Sequence, residues 1–153
     1  PMTYAVVRIN PHVAANFAKQ ELTFMMAKPK GSFDIHGAKA QLRVRDAVPA
    51  IFVFYPRREE EERVAALAAT WSILHAISDG DRRVVAAYSY PRMGGATTSE
   101  YKKIDCKAER MNDDWVKITP AAPLEPGEYV AAFVPERKDL FADVVYDFAV
   151  EKD

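Results

Sequence analysis

Three histidines, His12, His36 and His75, are the residues of this chain best suited to metal binding or proton transfer, and they stand in three separate segments. No two share the i,i+4 or short-loop spacing that brings imidazoles onto one ion. A metal or acid–base site would need them to converge in the fold with Asp34 or Asp79. Asp79-Gly80-Asp81 and Asp113-Asp114 offer carboxylate oxygens, but neither has the alternating ligands and later bidentate acid of a calcium loop. Asp and Gly at such positions favour tight turns without any ion. The sequence therefore predicts no metal and no cofactor.

Nucleophiles are equally sparse. Cys106 is the one cysteine, so there is no intrachain disulfide and no cysteine-based zinc site. It stands on the apolar side of an alternating run, where a thiol behaves as a small apolar group. There is no G-x-S-x-G elbow. Met93-Gly94-Gly95-Ala96-Thr97-Thr98-Ser99 is small and hydroxyl-rich but lacks phosphate-loop spacing, which leaves a surface loop between strands. Pro1 has the amine of a tautomerase base, but the residues after it do not fit that chemistry. No catalytic residue is assigned.

Aromatic side chains are the remaining candidates. Tyr88, Tyr90 and Tyr101 flank the Gly-rich loop, and Trp115 follows an Asn-Asp-Asp turn. If exposed, any of them, or Trp71, could stack on a sugar or anchor a protein partner. Tyr88, Tyr90, Tyr101 and Trp115 are thus the candidate ligand-binding residues, for a protein or carbohydrate ligand.

Composition sets the frame for these groups. The chain has 153 residues, 49% of them hydrophobic, which suits one domain over 1–153 with a full core. With 21 basic and 22 acidic residues the formal charge is −1, too balanced to hold a phosphate backbone, so nucleic acid is not an expected partner. The basic pairs Arg57–Arg58, Arg82–Arg83 and Lys102–Lys103 have acids nearby and read as solvated surface. The chain has no apolar run of membrane-spanning length.

The elements that must position these groups read as strands. Tyr4–Ile9 is β-rich and closes at Asn10–Pro11. Leu22, Phe24 and Met26 share a face within 20–27. Ala40, Leu42 and Val44 alternate with Gln41, Arg43 and Arg45. Ala50–Tyr55 is apolar on both faces and predicts a central strand. Ile104, Cys106 and Ala108 alternate with Lys103, Asp105 and Lys107. Trp115–Thr119, Glu128–Val134 and Val144–Val150 follow, with Val144, Tyr146, Phe148 and Val150 as the buried face of the last. Ten prolines and six glycines fall mostly between these runs.

One segment supports two readings. Val64, Leu67, Ala68, Trp71, Leu74 and Ile77 have helical spacing, and Glu59–Glu62 suits a helix N-terminus. Against one long helix, the alanines stop at Ala69 and β-branched or aromatic Thr70, Trp71, Ile73 and Ile77 begin. Arg82–Tyr90 is a ready partner strand across Ser78-Asp79-Gly80-Asp81.

The C-terminal third decides between them. Ile118-Thr119-Pro120-Ala121-Ala122-Pro123-Leu124-Glu125-Pro126-Gly127-Glu128-Tyr129, followed by Tyr146-Asp147-Phe148, resembles a T-P-x-x-P-L-x-P-G-E-Y turn and strand with a closing Y-D-F strand. That pattern belongs to uncharacterised, exported bacterial β-sandwich-like proteins. The P-A-I-F-V-F-Y run and the strand–DGD–strand reading of Trp71–Val85 resemble their middle section. The resemblance implies an exported module, periplasmic or secreted, and assigns no activity. The expectation is a mainly β fold: an antiparallel, immunoglobulin-like β-sandwich of about eight to ten strands, with one short helix or ordered insertion near 58–69. The expected role is a non-catalytic binding or interaction module. The alternative is a hydrolase whose histidines and carboxylates meet only in the fold.

Overall fold

The computed structural model describes residues 4–6, 8–11, 30–54, 70–89, 98–134 and 144–152, and every regular element among them is a strand. The strand expected at 20–27 and the helix or insertion near 58–69 lie outside the described residues.

The doubtful segment is a hairpin. β6 (Thr70–Asp79) and β7 (Arg82–Ser89) run antiparallel and join through Gly80-Asp81, with Asp79 paired to Arg82. Gly80 has φ +65° in the first of the two loop positions, where primed hairpin turns need a positive φ. β-branched content thus prevails over the 3.6-residue apolar spacing, and that spacing has its own cause: both faces of β6 are buried. Trp71 and Ile73 enter one hydrophobic cluster, Leu74 and Ala76 another.

β12 (Gly127–Val134) pairs along β6 on one side and β13 (Val144–Val150) on the other. These two strands are also buried on both faces. In β13 the expected face of Tyr146, Phe148 and Val150 lies in the first cluster, yet Val145, Asp147 and Ala149 are buried too. β1 (Tyr4–Val6) adds to β13. Beyond β7 come β3 (Lys30–His36) and β2 (Arg8–Pro11), all antiparallel, so β2 continues through the expected stop at Asn10–Pro11. The Ala40/Leu42/Val44 alternation survives as burial, but only β4 (Arg43–Val44) is strand, and it pairs with β13 in parallel.

A separate three-stranded antiparallel sheet is ordered β10 (Cys106–Arg110), β11 (Trp115–Pro120), β5 (Ile51–Phe54). Its Ile51, Val53, Val116 and Ile118 share the first cluster with Trp71, Ile73, Tyr129 and Phe148 of the larger sheet. The strand expected at the centre is therefore an edge among the described residues, and it is apolar on both faces for a different reason. Ile51 and Val53 are buried, whereas Phe52 and Phe54 are 53% and 54% exposed.

The Lys103–Glu109 run is also divided. β9 (Lys103–Ile104) pairs with β6, then the chain changes sheet at Asp105 and β10 pairs with β11. Ile104 and Cys106 pack on the first cluster as expected. Ala108 does not stay covered: it lies opposite buried Ile118, but on the outer strand of a narrow sheet its short side chain is exposed.

Arg83 corrects the reading of Arg82–Arg83 as solvated surface. Its side chain is 2% exposed, and all three kinds of guanidinium nitrogen are used. Nη2 donates to Asp147 Oδ2 at 2.7 Å, Nη1 to Glu128 Oε2 at 3.2 Å, and Nε to the Gly37 carbonyl at 2.8 Å. Glu128 Oε2 also accepts the Ala40 N–H at 2.7 Å. A buried charge is tolerable only with this degree of pairing, and here it ties β7 to β12, β13 and the 37–40 loop. Arg82 points the other way, to Asp34 and Asp79.

Candidate functional site

The four aromatic candidates occupy different places. Tyr88 is 8% exposed, its ring 5.2 Å from that of Phe33, and it sits over Gly31, its cross-strand partner on β3. Tyr90 lies outside the described residues. Tyr101 is half-buried against the second cluster and borders a cleft. Trp115 is 41% exposed on the outer face of the three-stranded sheet.

Trp115 is the member that finds company. In register across the sheet, Met111 meets Trp115 through its N–H and the Trp115 carbonyl (2.9 Å), and Trp115 stands opposite Phe54. The Phe54 and Trp115 rings are 5.4 Å apart and nearly edge-on, at 69°. In the next row Glu109 pairs with Lys117 and Lys117 with Phe52. Alternation places Phe52, Phe54, Trp115 and Lys117 on the side facing away from the core. The result is an exposed apolar patch of Phe52, Phe54, Trp115 and Met111 with a charged margin. The Asn112 side chain accepts the N–H groups of Asp114 (2.9 Å) and Trp115 (3.0 Å), making the Asn-Asp-Asp segment the expected turn.

A second feature arises where the hairpin forks. The β6–β7 ladder covers only Ile77–Asp79 against Arg82–Val84. β7 carries one extra residue, Val85, opposite the Phe33–Asp34 step of β3, and a bulge of this kind bends and twists its strand. Beyond it the two strands separate and the 98–104 segment enters between them. β8 (Thr98–Glu100) pairs with β7 and β9 with β6, leaving Tyr101 and Lys102 to cross the gap. The His75 N–H donates to the Lys102 carbonyl at 3.0 Å. The fork leaves a cleft of about 490 Å³ bordered by His75, Ile77, Val84, Glu100, Tyr101 and Lys102.

His75 is the titratable group placed best for chemistry. Burial, then the Lys102 ammonium, holds its imidazole below the ordinary histidine range against a smaller opposite pull from Glu125. Its ring meets Tyr129 edge-on at 5.4 Å. The Tyr129 hydroxyl, raised above its ordinary value by burial and then Glu125, donates to the Glu125 carbonyl at 2.7 Å. His36 is exposed, and His12 lies outside the described residues. Among the described residues neither His36 nor His75 hydrogen-bonds a carboxylate through its ring, and no group of three His, Cys, Asp or Glu side chains could hold a metal. No helix among them is long and apolar enough to cross a membrane.

Of the residues that sequence reasoning missed, Phe52 and Phe54 were read as core because their strand is uniformly apolar. Glu100 and Lys102 carry no local signal at all. Compared with family models, curated proteins and solved structures, the chain matches none of them.

Proposed function

We propose that this chain is a non-catalytic binding module, working outside the cytoplasm, that holds a protein partner on the Phe52/Phe54/Trp115 face. The observation that carries this reading is the exposure of three large aromatic side chains side by side on one sheet face. Such a patch loses free energy to water unless something covers it. Aromatic residues and methionine at the centre with charges at the margin is the composition of a protein interface. β5 also ends its sheet among the described residues and carries no charge or proline, so an extended segment could add to it through main-chain bonds. The edge-on Phe54–Trp115 pair offers no flat platform for a sugar ring. The extracytoplasmic setting rests on the resemblance of the C-terminal third alone.

The test uses immobilised heptapeptides that alternate apolar and polar residues, beside a panel of soluble polysaccharides. Trp71 is buried and Trp115 exposed, so a blue shift of tryptophan emission reports cover over Trp115. Binding of peptides with that shift is expected, and its loss in Phe52→Ser/Phe54→Ser without loss of fold. Binding of a polysaccharide instead, or of neither class, overturns the reading.

A further inference from the structure

The forked cleft is built for a smaller ligand, and its lining is specific enough to name a class. We infer that it binds a small zwitterion with an apolar body, an apolar amino acid or dipeptide, with Lys102 taking the carboxylate and Glu100 the ammonium.

The volume, about 490 Å³, lies in the range of small-molecule sites. Its floor is apolar: Val84 and Val85 line it, and Ile77, 59% exposed at the mouth, is a large aliphatic side chain that the fold leaves uncovered. An apolar ligand body would remove that surface from water. Charge enters at two points only. Glu100 and Lys102 both border the cleft, both are exposed, and neither forms an ion pair among the described residues. Two unpaired charges of opposite sign, two residues apart on the wall of an apolar cleft, match the two charges of an amino acid rather than a simple acid or amine. His75 is bound to the Lys102 backbone and lies beside it. Burial, then the Lys102 ammonium, favours its neutral form, which can donate one hydrogen bond to a carboxylate without adding charge.

The geometry also explains why the site sits here. A continuous β6–β7 ladder would close the gap. The Val85 bulge and the change of partner along this edge of β6, from β7 to β9, open it, and bulges often re-aim side chains at binding sites.

The test is a set of NMR titrations with four probes: L-leucine, Leu-Phe, leucine amide, which lacks the carboxylate, and N-acetyl-leucine, which lacks the ammonium. L-leucine and Leu-Phe are expected to shift the amides of Glu100–Lys102 and the His75 ring protons at millimolar concentrations, and both blocked forms to bind about fivefold more weakly. Lys102→Ala should bring leucine down to the level of leucine amide. Glu100→Gln should bring it down to that of N-acetyl-leucine. Both residues are exposed, so both variants should keep the parent Tm. A blocked form binding as well as leucine, or no shift with any probe, overturns the assignment. The aromatic-face reading is unaffected either way, because no residue is shared.

Discussion

The Tyr88 ring lies over Gly31, its partner across the β3–β7 ladder, so closely that a Cβ on the glycine would fall 2.2 Å from the ring's Cζ. The absent side chain is what lets the ring lie flat on the sheet and become buried. Gly31→Ala must push the ring outward, and overpacking of this kind costs about 1–3 kcal/mol. For a chain of this size that is a fall in Tm of roughly 2–4 °C per kcal/mol. The cost should vanish in a Tyr88→Ala background. Equal costs in both backgrounds, by urea denaturation, would refute the contact.

The buried Arg83 cluster gives a larger effect. Arg83→Met removes the partner of Asp147 and one partner of Glu128, and leaves a buried charge uncompensated. The expected loss is about 3–5 kcal/mol. Adding Asp147→Leu should restore most of it, since an apolar pair can replace a buried ion pair. A single variant within about 1 kcal/mol of the parent would show that Arg83 does not tie β7 to β12 and β13.

His75 predicts how stability varies with pH. Its folded pKa is lowered, first by burial and then by Lys102. As pH falls below about 6.5 the unfolded chain takes up a proton that the folded chain still resists. Stability therefore falls with pH from there down through the lowered folded value, and is complete above both. In His75→Gln this part of the slope should disappear. Chemical denaturation at a series of pH values between 7 and 5 checks it, and an unchanged slope would remove His75 from the account.

Metal removal should have no effect. No ligand spacing for zinc or calcium is visible in the sequence, and no such cluster occurs among the described residues. Added EDTA is expected to leave Tm unchanged, because a bound ion would stabilise the folded state by mass action. A drop of several degrees would reveal one.

How far the sequence could be read depended on whether the signal was local. Period-two alternation, the Asp-Gly turn and the change of composition at Thr70 are local, and they placed β11 to β13 and the β6–β7 hairpin within a residue or two. Arg83 could not be found this way: its neighbours in sequence are those of any surface arginine, and its partners lie 45 and 64 residues away. The fork was hidden for the same reason, since it depends on where 98–104 inserts. Of the aromatic face, Trp115 was legible from the turn before it. Phe52 and Phe54 were not, because an uncovered apolar face and a doubly buried strand have the same sequence.

β5 allows that ambiguity to be tested within four residues. Ile51 and Val53 are buried in the cluster shared by the two sheets, while Phe52 and Phe54 stand outside. If burial decides, Ile51→Ala should cost about 2–5 kcal/mol through lost transfer free energy and the cavity left behind. Val53→Ala removes one carbon fewer than Ile51→Ala, so its cost should be somewhat less. Phe52→Ser and Phe54→Ser each remove a larger side chain, yet neither opens a core cavity. Each should stay within about 1 kcal/mol of the parent, the residue being lost β-propensity and, for Phe54, contact with Trp115. A doubly buried central strand would give the opposite order, with the phenylalanines the costlier at about 3–5 kcal/mol. Four equilibrium denaturation curves distinguish the two cases, and large losses at Phe52 and Phe54 would withdraw the exposed face on which the proposed recognition depends.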